Sequence, residues 1–166
     1  MRITRAFCAF TLVLLCSPSP IIAQDRNSLR EQLVAAIKKS EKKWKLDKDT
    51  VLDGSTTVGF DVVYLGWAFG TSRADALIYI NPTSEDAVKL YPTAFRGCPD
   101  CLVKKKILEI KIPDLGDENY VWEDRDMHRA GIVFRKGRIL VGIEASSIET
   151  ATKLAFYVVN EISPRQ

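Results

Sequence analysis

Residues 131–144, GIVFRKGRILVGIE, followed after Ala145 by residues 146–158, SSIETATKLAFYV, decide how this chain is built. Two runs rich in β-branched residues flank Lys136 and Gly137, where glycine can supply the positive φ of a tight turn, so the stretch predicts a hairpin. Ser146 and Glu149 then have capping-box spacing, and Ile148, Ala151, Leu154, Ala155, Val158 and Ile162 recur on one side of a helix. Pro164 lies just beyond its end. Strand, turn, strand and capped helix follow one another without a βαβ crossover.

Working outward, KKILEIKI (105–112) places Leu108, Ile110 and Ile112 on one face of a half-buried strand, Pro113 to Asn119 reads as a turn, and YVWED (120–124) as a short strand. Farther upstream, the aromatic and β-branched residues from 58 to 80 predict strands near 59–69 and 76–80, joined by a loop over 70–75. A short helix near 84–91 follows, with acidic residues in its first turn. Ser28 and Glu31 repeat the capping-box spacing, and Leu29, Leu33, Ala36, Ile37, Ser40 and Trp44 share a helical face, predicting a helix over 28–45. Residues 46–57, LDKDTVLDGSTT, read as a polar turn. Their three aspartates do not make a calcium loop: from Asp49 as position 1, Val51 and Phe60 fall where oxygen ligands belong.

Strands in runs rather than alternating with helices predict the α+β class: a mainly antiparallel sheet with two amphipathic helices packed on one face, a two-layer sandwich. No repeat or linker interrupts it, so residues 24–166 are expected to form a single domain. Residues 1–23, MRITRAFCAFTLVLLCSPSPIIA, have the basic, apolar and small-residue order of a secretory signal peptide, with cleavage near Ala23. The apolar stretch from Ala6 to Leu15 makes a helix of about 15 Å, half a hydrocarbon core, so no stable membrane span is expected. Cys16 raises a lipoprotein anchor, but Leu15 is large where such signals want a small residue. The expected location is the periplasm or the extracellular space.

Charge narrows the function classes. The chain has 24 Lys plus Arg against 21 Asp plus Glu, and without Arg2 and Arg5 the balance is 22 against 21, a net +1. A globally basic nucleic-acid binder is excluded on that balance. Lys38, Lys39, Lys42, Lys43 and Lys45 form a local cluster, read as a solvated face suited to a helix C-terminus and interrupted by Glu41.

LGDENYVW (115–122), then GIVFRKGRILVGIE and SSIETATKLAFYV, resembles the C-terminal half of small secreted bacterial domains, including those with the Mog1/PsbP-like fold. The resemblance implies a hairpin with a basic-Gly turn leading into a last helix across the sheet. It carries no catalytic residue onto this chain, and fold alone assigns no activity.

Cys98-Pro99-Asp100-Cys101 is the most specific local motif. In an exported chain two such cysteines are expected to close a disulfide, a local staple worth about 2 kcal/mol in the loop-entropy picture. The rival is a thiol-disulfide redox protein using Cys98 and Cys101, whose thiolates Arg96 and Lys104 to Lys106 would stabilise. Against it, the motif leads into a strand and not a helix. Zinc would need more ligands than one pair and the single histidine, His128, and Leu102 stands where a haem motif needs histidine, so no metal and no cofactor are expected.

His128 reads as a solvated loop residue, with no GxSxG elbow to serve. The six acids between Asp114 and Asp126 read as a charged sheet edge. Trp67 and Phe69, sharing a strand face, together with Tyr91 and Phe95, are the candidate ligand or partner surface, weighed against core packing. No catalytic constellation emerges. The sequence points to an exported binding or accessory module with an unspecified protein or small-molecule partner.

Overall fold

Two-residue turns set the sheet. In the computed structural model, which describes residues 26–54, 59–92, 106–108, 110–124 and 126–162, Gly70 (φ 61°) and Gly137 (φ 57°) take the left-handed conformation that β-branched neighbours resist. Gly70 and Thr71 join β2 (Asp61–Phe69) to β3 (Ser72–Ile80), whose residues pair from Phe69–Ser72 to Asp61–Ile80. Gly137 and Arg138 join β6 (Arg129–Lys136) to β7 (Ile139–Ala145) in the same way. The hairpin read from residues 131–144 is therefore present. The expected loop over 70–75 is instead a two-residue turn, and Ser72 to Asp75 are strand.

With β1 (Lys45–Leu52), β4 (Lys106–Leu108) and β5 (Glu118–Asp124), the described strands form one antiparallel sheet in the order β1-β2-β3-β7-β6-β5-β4. Strand β1 departs from expectation, because residues 46–57 read as a turn. It is an edge strand with mostly exposed residues, so the alternation that marks a buried strand is missing. Asp47 is an extra residue between the pairs Leu46–Trp67 and Lys48–Gly66, a β-bulge. At the other edge, β4 ends at Leu108 and Ile110 is 50% exposed, so the expected alternation of 108, 110 and 112 is broken.

Helix α1 (Arg26–Ser40) buries Leu29, Leu33 and Ile37 at helical spacing, and α3 (Ile148–Glu161) buries Ala151, Leu154, Ala155, Val158 and Val159. Both feed one core with Val63, Leu65 and Trp67 of β2, Ala74, Ala76 and Ile78 of β3, and Ile132, Phe134, Val141 and Ile143 of the central hairpin. The cap of α3 is Ser147, one residue later than the sequence spacing suggested, its hydroxyl accepting from the Thr150 N–H. α1 stops at Ser40 and not at 45; Lys45 and Leu46 already pair with β2.

A third helix, α2 (Ser84–Leu90), is capped by Thr83 and contacts β7. Its Leu90 and the following Tyr91 pack on Trp122, Val133 and Leu140, side chains on the sheet face opposite to α1 and α3. The class is thus α+β, with the larger helices sharing one core and the shorter helix at part of the other face.

Two side-chain amides, Asn81 buried and Asn119 half-buried, fix the connections. Asn81 donates through Nδ2 to the Arg138 carbonyl at 3.0 Å, while Arg138 donates back to the Asn81 carbonyl at 3.1 Å. Asn119 accepts from the Ile112 N–H at 2.9 Å and donates to the Ile112 and Leu115 carbonyls, both at 3.0 Å, standing in for backbone pairing across the turn before β5.

Candidate functional site

Period-two alternation sends Val63, Leu65 and Trp67 toward α1 and α3, and Tyr64, Gly66 and Ala68 to the other face. Register carries that face across the sheet. Lys48 pairs with Gly66, Gly66 with Asp75, Asp75 with Glu144, Glu144 with Gly131, and Gly131 with Trp122. This lateral row crosses six strands, a span of about 24 Å at the usual inter-strand spacing. Beside it runs a more apolar row of Tyr64, Leu77, Gly142 and Val133.

Two glycines in the polar row make its shape. A Cβ on Gly66 would collide with the Asp75 carboxylate, and one on Gly131 would overlap Cε2 and Cζ2 of Trp122 and come to 2.5 Å from the Ile143 carbonyl oxygen. Each glycine therefore lets its cross-strand neighbour fold over the sheet. A groove of about 740 Å³ results, floored by Leu77, Val133 and Gly142 and bordered by Lys48, Tyr64, Arg73 and Asp75 on one side and Trp122, Met127, His128 and Arg129 on the other. That is the size range of small-molecule sites.

The groove's charges are mutually compensated. Lys48 donates to the Tyr64 hydroxyl and stands 3.6 Å from Asp75, to which Tyr64 donates at 3.2 Å. The hydrogen bond to Tyr64, aided by the charge of Asp75, holds the Lys48 ammonium above its ordinary pKa against the opposing pull of burial. Arg73 pairs with Asp47 at 2.6 Å, so the bulge residue turns its carboxylate toward the groove's outer wall. Arg129 pairs with Glu144. Three cations thus face three carboxylates.

The residues singled out in the sequence are not brought together. Trp67 is 2% exposed in the core under the helices, so its expected place on a ligand surface is corrected: alternation put it on the helix-covered face. Phe69, on the same face, is half-buried and stacks on Trp44 with ring centroids 4.6 Å apart, beside a depression of about 500 Å³ bordered by Lys42 and Lys43. Tyr91 lies across the sheet from both, edge-on to Tyr120 at 5.8 Å. Phe95, Cys98 and Cys101 fall outside the described residues.

His128 is exposed, at φ 50° in the turn between β5 and β6, and borders the groove. Of the acids expected at a solvated edge, Asp117 and Glu118 both hold Arg135, and Asp124 is buried, accepting from the Met127 N–H at 3.1 Å. Among the described residues no group of three or more His, Cys, Asp or Glu is placed to hold a metal ion, and no helix is long and apolar enough to cross a membrane. The groove is not legible along the chain because β1, which supplies Lys48, has too few buried residues to show a strand pattern. Gly66 and Gly131 inside strand patterns were the available signal, since such glycines mark close approach of another group.

No protein-family model and no curated protein matches the sequence. Among solved structures, the extracellular domain of PknH from Mycobacterium tuberculosis is similar in fold. Its TM-score is 0.50, over 79% of this chain and 89% of that chain, at 10% identity. A GTP binding regulator from Thermotoga maritima reaches a TM-score of 0.47 over 80% of this chain and 85% of that chain at 7% identity. At such identities the likeness speaks for fold alone.

Proposed function

We propose that this chain is an exported, non-catalytic ligand-binding or accessory module, a two-layer α+β sandwich whose ligand site is the groove on the sheet face opposite α1 and α3. The observation that carries the reading is the Lys48–Gly66–Asp75–Glu144–Gly131–Trp122 row, in which Asp75 and Trp122 fold over two strand glycines and border a polar, charge-compensated trough. Each groove cation already has a carboxylate beside it, so the groove presents no net charge to draw in a strongly charged ligand. The ligand class that fits is a compact neutral or zwitterionic polar molecule, its apolar side against Leu77 and Val133.

Export rests on the signal-like residues 1–23, and a neighbour in fold is itself an extracellular domain. The Mog1/PsbP-like character of the C-terminal half and a Cys98–Cys101 disulfide belong to the same reading, supported by the sequence motifs.

Amide chemical shifts test the site, with neutral disaccharides and zwitterionic tripeptides as probes. Saturable shifts at Leu77, Arg129 and Gly142, weakened tenfold or more in Glu144→Gln, are expected. Shifts confined to other surfaces, or none with either class, would overturn the assignment. Turnover of a bound probe that vanishes in His128→Ala would replace the non-catalytic reading with an enzymatic one.

A further inference from the structure

The lysine cluster at the end of α1 has a different setting in the structure from the one its sequence suggested. Because α1 ends at Ser40, only Lys38 and Lys39 lie in its last turn, where the helix dipole would account for positive charge. Lys42 and Lys43 lie in the connection to β1, and Lys45 opens that strand; all five side chains are exposed. Glu41, the acid that interrupts the run, is spent elsewhere. It is 14% exposed, pairs with Lys153 at 2.6 Å and accepts from the Tyr157 hydroxyl at 2.7 Å. Among the described residues none of the five ammonium groups has an ion pair. Five lysines within residues 38–45 stand out in a chain whose net charge is +3.

Aromatic surface sits among these charges. Trp44, between Lys43 and Lys45, is half-buried and stacked on Phe69, the two rings 10° from parallel. Lys42, Lys43, Trp44 and Phe69 border one shallow depression, and the neighbouring Leu46 is 40% exposed. Ammonium groups around an amphipathic indole is the composition that favours a membrane interface, with lysines at the headgroups and the ring at their level.

We propose that this end of the molecule docks on a bilayer of anionic phospholipid, the lysines neutralising headgroup phosphates and Trp44 seating at the interface. A nucleic acid is the less favoured occupant because Trp44 and Phe69 already use a face each on one another and offer less stacking surface to bases. The proposal is independent of the groove ligand.

The test measures, on the full chain, partitioning into vesicles of equal phosphatidylglycerol and phosphatidylcholine relative to vesicles of phosphatidylcholine alone. An apolar leader would raise both values, and its Arg2 and Arg5 are unchanged in every variant, so the comparison of lysine pairs isolates the cluster. The ratio is expected to be large at low salt, to collapse toward one at high salt, and to fall about 30-fold in Lys42→Gln/Lys43→Gln, the factor for two lysines lost from an anionic surface. Lys89→Gln/Lys111→Gln removes the same charge elsewhere and should leave it nearly unchanged. The emission assigned to Trp44 by difference from Trp44→Phe should move to the blue with anionic vesicles only. A ratio near one in the parent chain, equal losses in the two lysine pairs, or tighter lysine-dependent binding to single-stranded DNA would each overturn the proposal.

Discussion

The indole of Trp122 occupies the space of the side chain that Gly131 lacks. The two residues are direct cross-strand partners on β5 and β6, and the ring, 6% exposed, covers the glycine's Cα on the groove face. A methyl group at 131 would strike both a large ring and the Ile143 carbonyl, neither of which is the free end of a flexible chain. Gly131→Ala should therefore destabilise the fold by about 2–3 kcal/mol, the upper range for overpacking. Urea denaturation followed by Trp fluorescence reads it; a loss under about 0.5 kcal/mol would show that the ring moves aside freely.

Gly66 gives the contrasting case. A methyl there meets the Asp75 carboxylate end, which can swing away, and comes only to 3.2 Å from the Lys48 Cβ. Gly66→Ala should cost less than about 1 kcal/mol in stability, offset by the gain in strand propensity, while displacing the Lys48–Tyr64–Asp75 group. Chemical shifts of Asp75 and Tyr64 that stay at their parent values would contradict this.

Asn119 completes three backbone hydrogen bonds that the turn at Ile112 to Leu115 cannot make for itself. Asn119→Ala should lower stability by about 2–3 kcal/mol, because truncation leaves partly buried amide and carbonyl groups unmet. Amide exchange supplies a local check: the Ile112 N–H should lose its protection in the variant.

Glu41 ties the end of α1 to α3 and gives the fold an acid-sensitive joint. Burial works to raise its pKa, but hydrogen bonds from Lys153 and Tyr157 prevail and hold the carboxyl below its ordinary value. A group depressed in the folded state adds stability above its unfolded pKa of about 4.5 and loses that contribution as pH falls through the folded value. Parent and Glu41→Gln stabilities should accordingly differ most near neutral pH and converge as the pH falls through the folded value. A difference that grows on acidification would reverse the assigned sign.

Lys136 reaches from the end of β6 to the Val159 carbonyl at 2.8 Å, in the last turn of α3. Lys136→Met keeps the aliphatic stem and removes the charge-assisted bond at the negative helix end, so a loss of about 0.5–1 kcal/mol is expected. Helix-end amides exchanging no faster in the variant would count against it.

Much of this architecture was legible in the chain because the elements that bury most are strongly patterned. Leu29, Leu33 and Ile37 repeat at helical spacing, Ile148 to Val158 do so behind a serine cap, and the Gly137 turn needs its glycine. β1 escaped because an edge strand gains its pairing from the backbone and has little apolar face to display. The groove escaped for a related reason. It depends on which residues stand opposite one another, and Gly66, Asp75, Glu144, Gly131 and Trp122 acquire meaning only when register aligns them. Trp67 shows the converse: an aromatic strand residue looks alike in sequence whether it faces solvent or the underside of two helices.

The extra residue at Asp47 reaches beyond its own strand. An open margin of β-sheet invites another polypeptide to zip onto it, yet here the spacing slips after Leu46, and charged groups flank the slip on both sides. An incoming chain would meet the slip at one end and could stay in step only over Lys48 to Leu52. The slip and the charges around it thus work against edge-to-edge association at this margin.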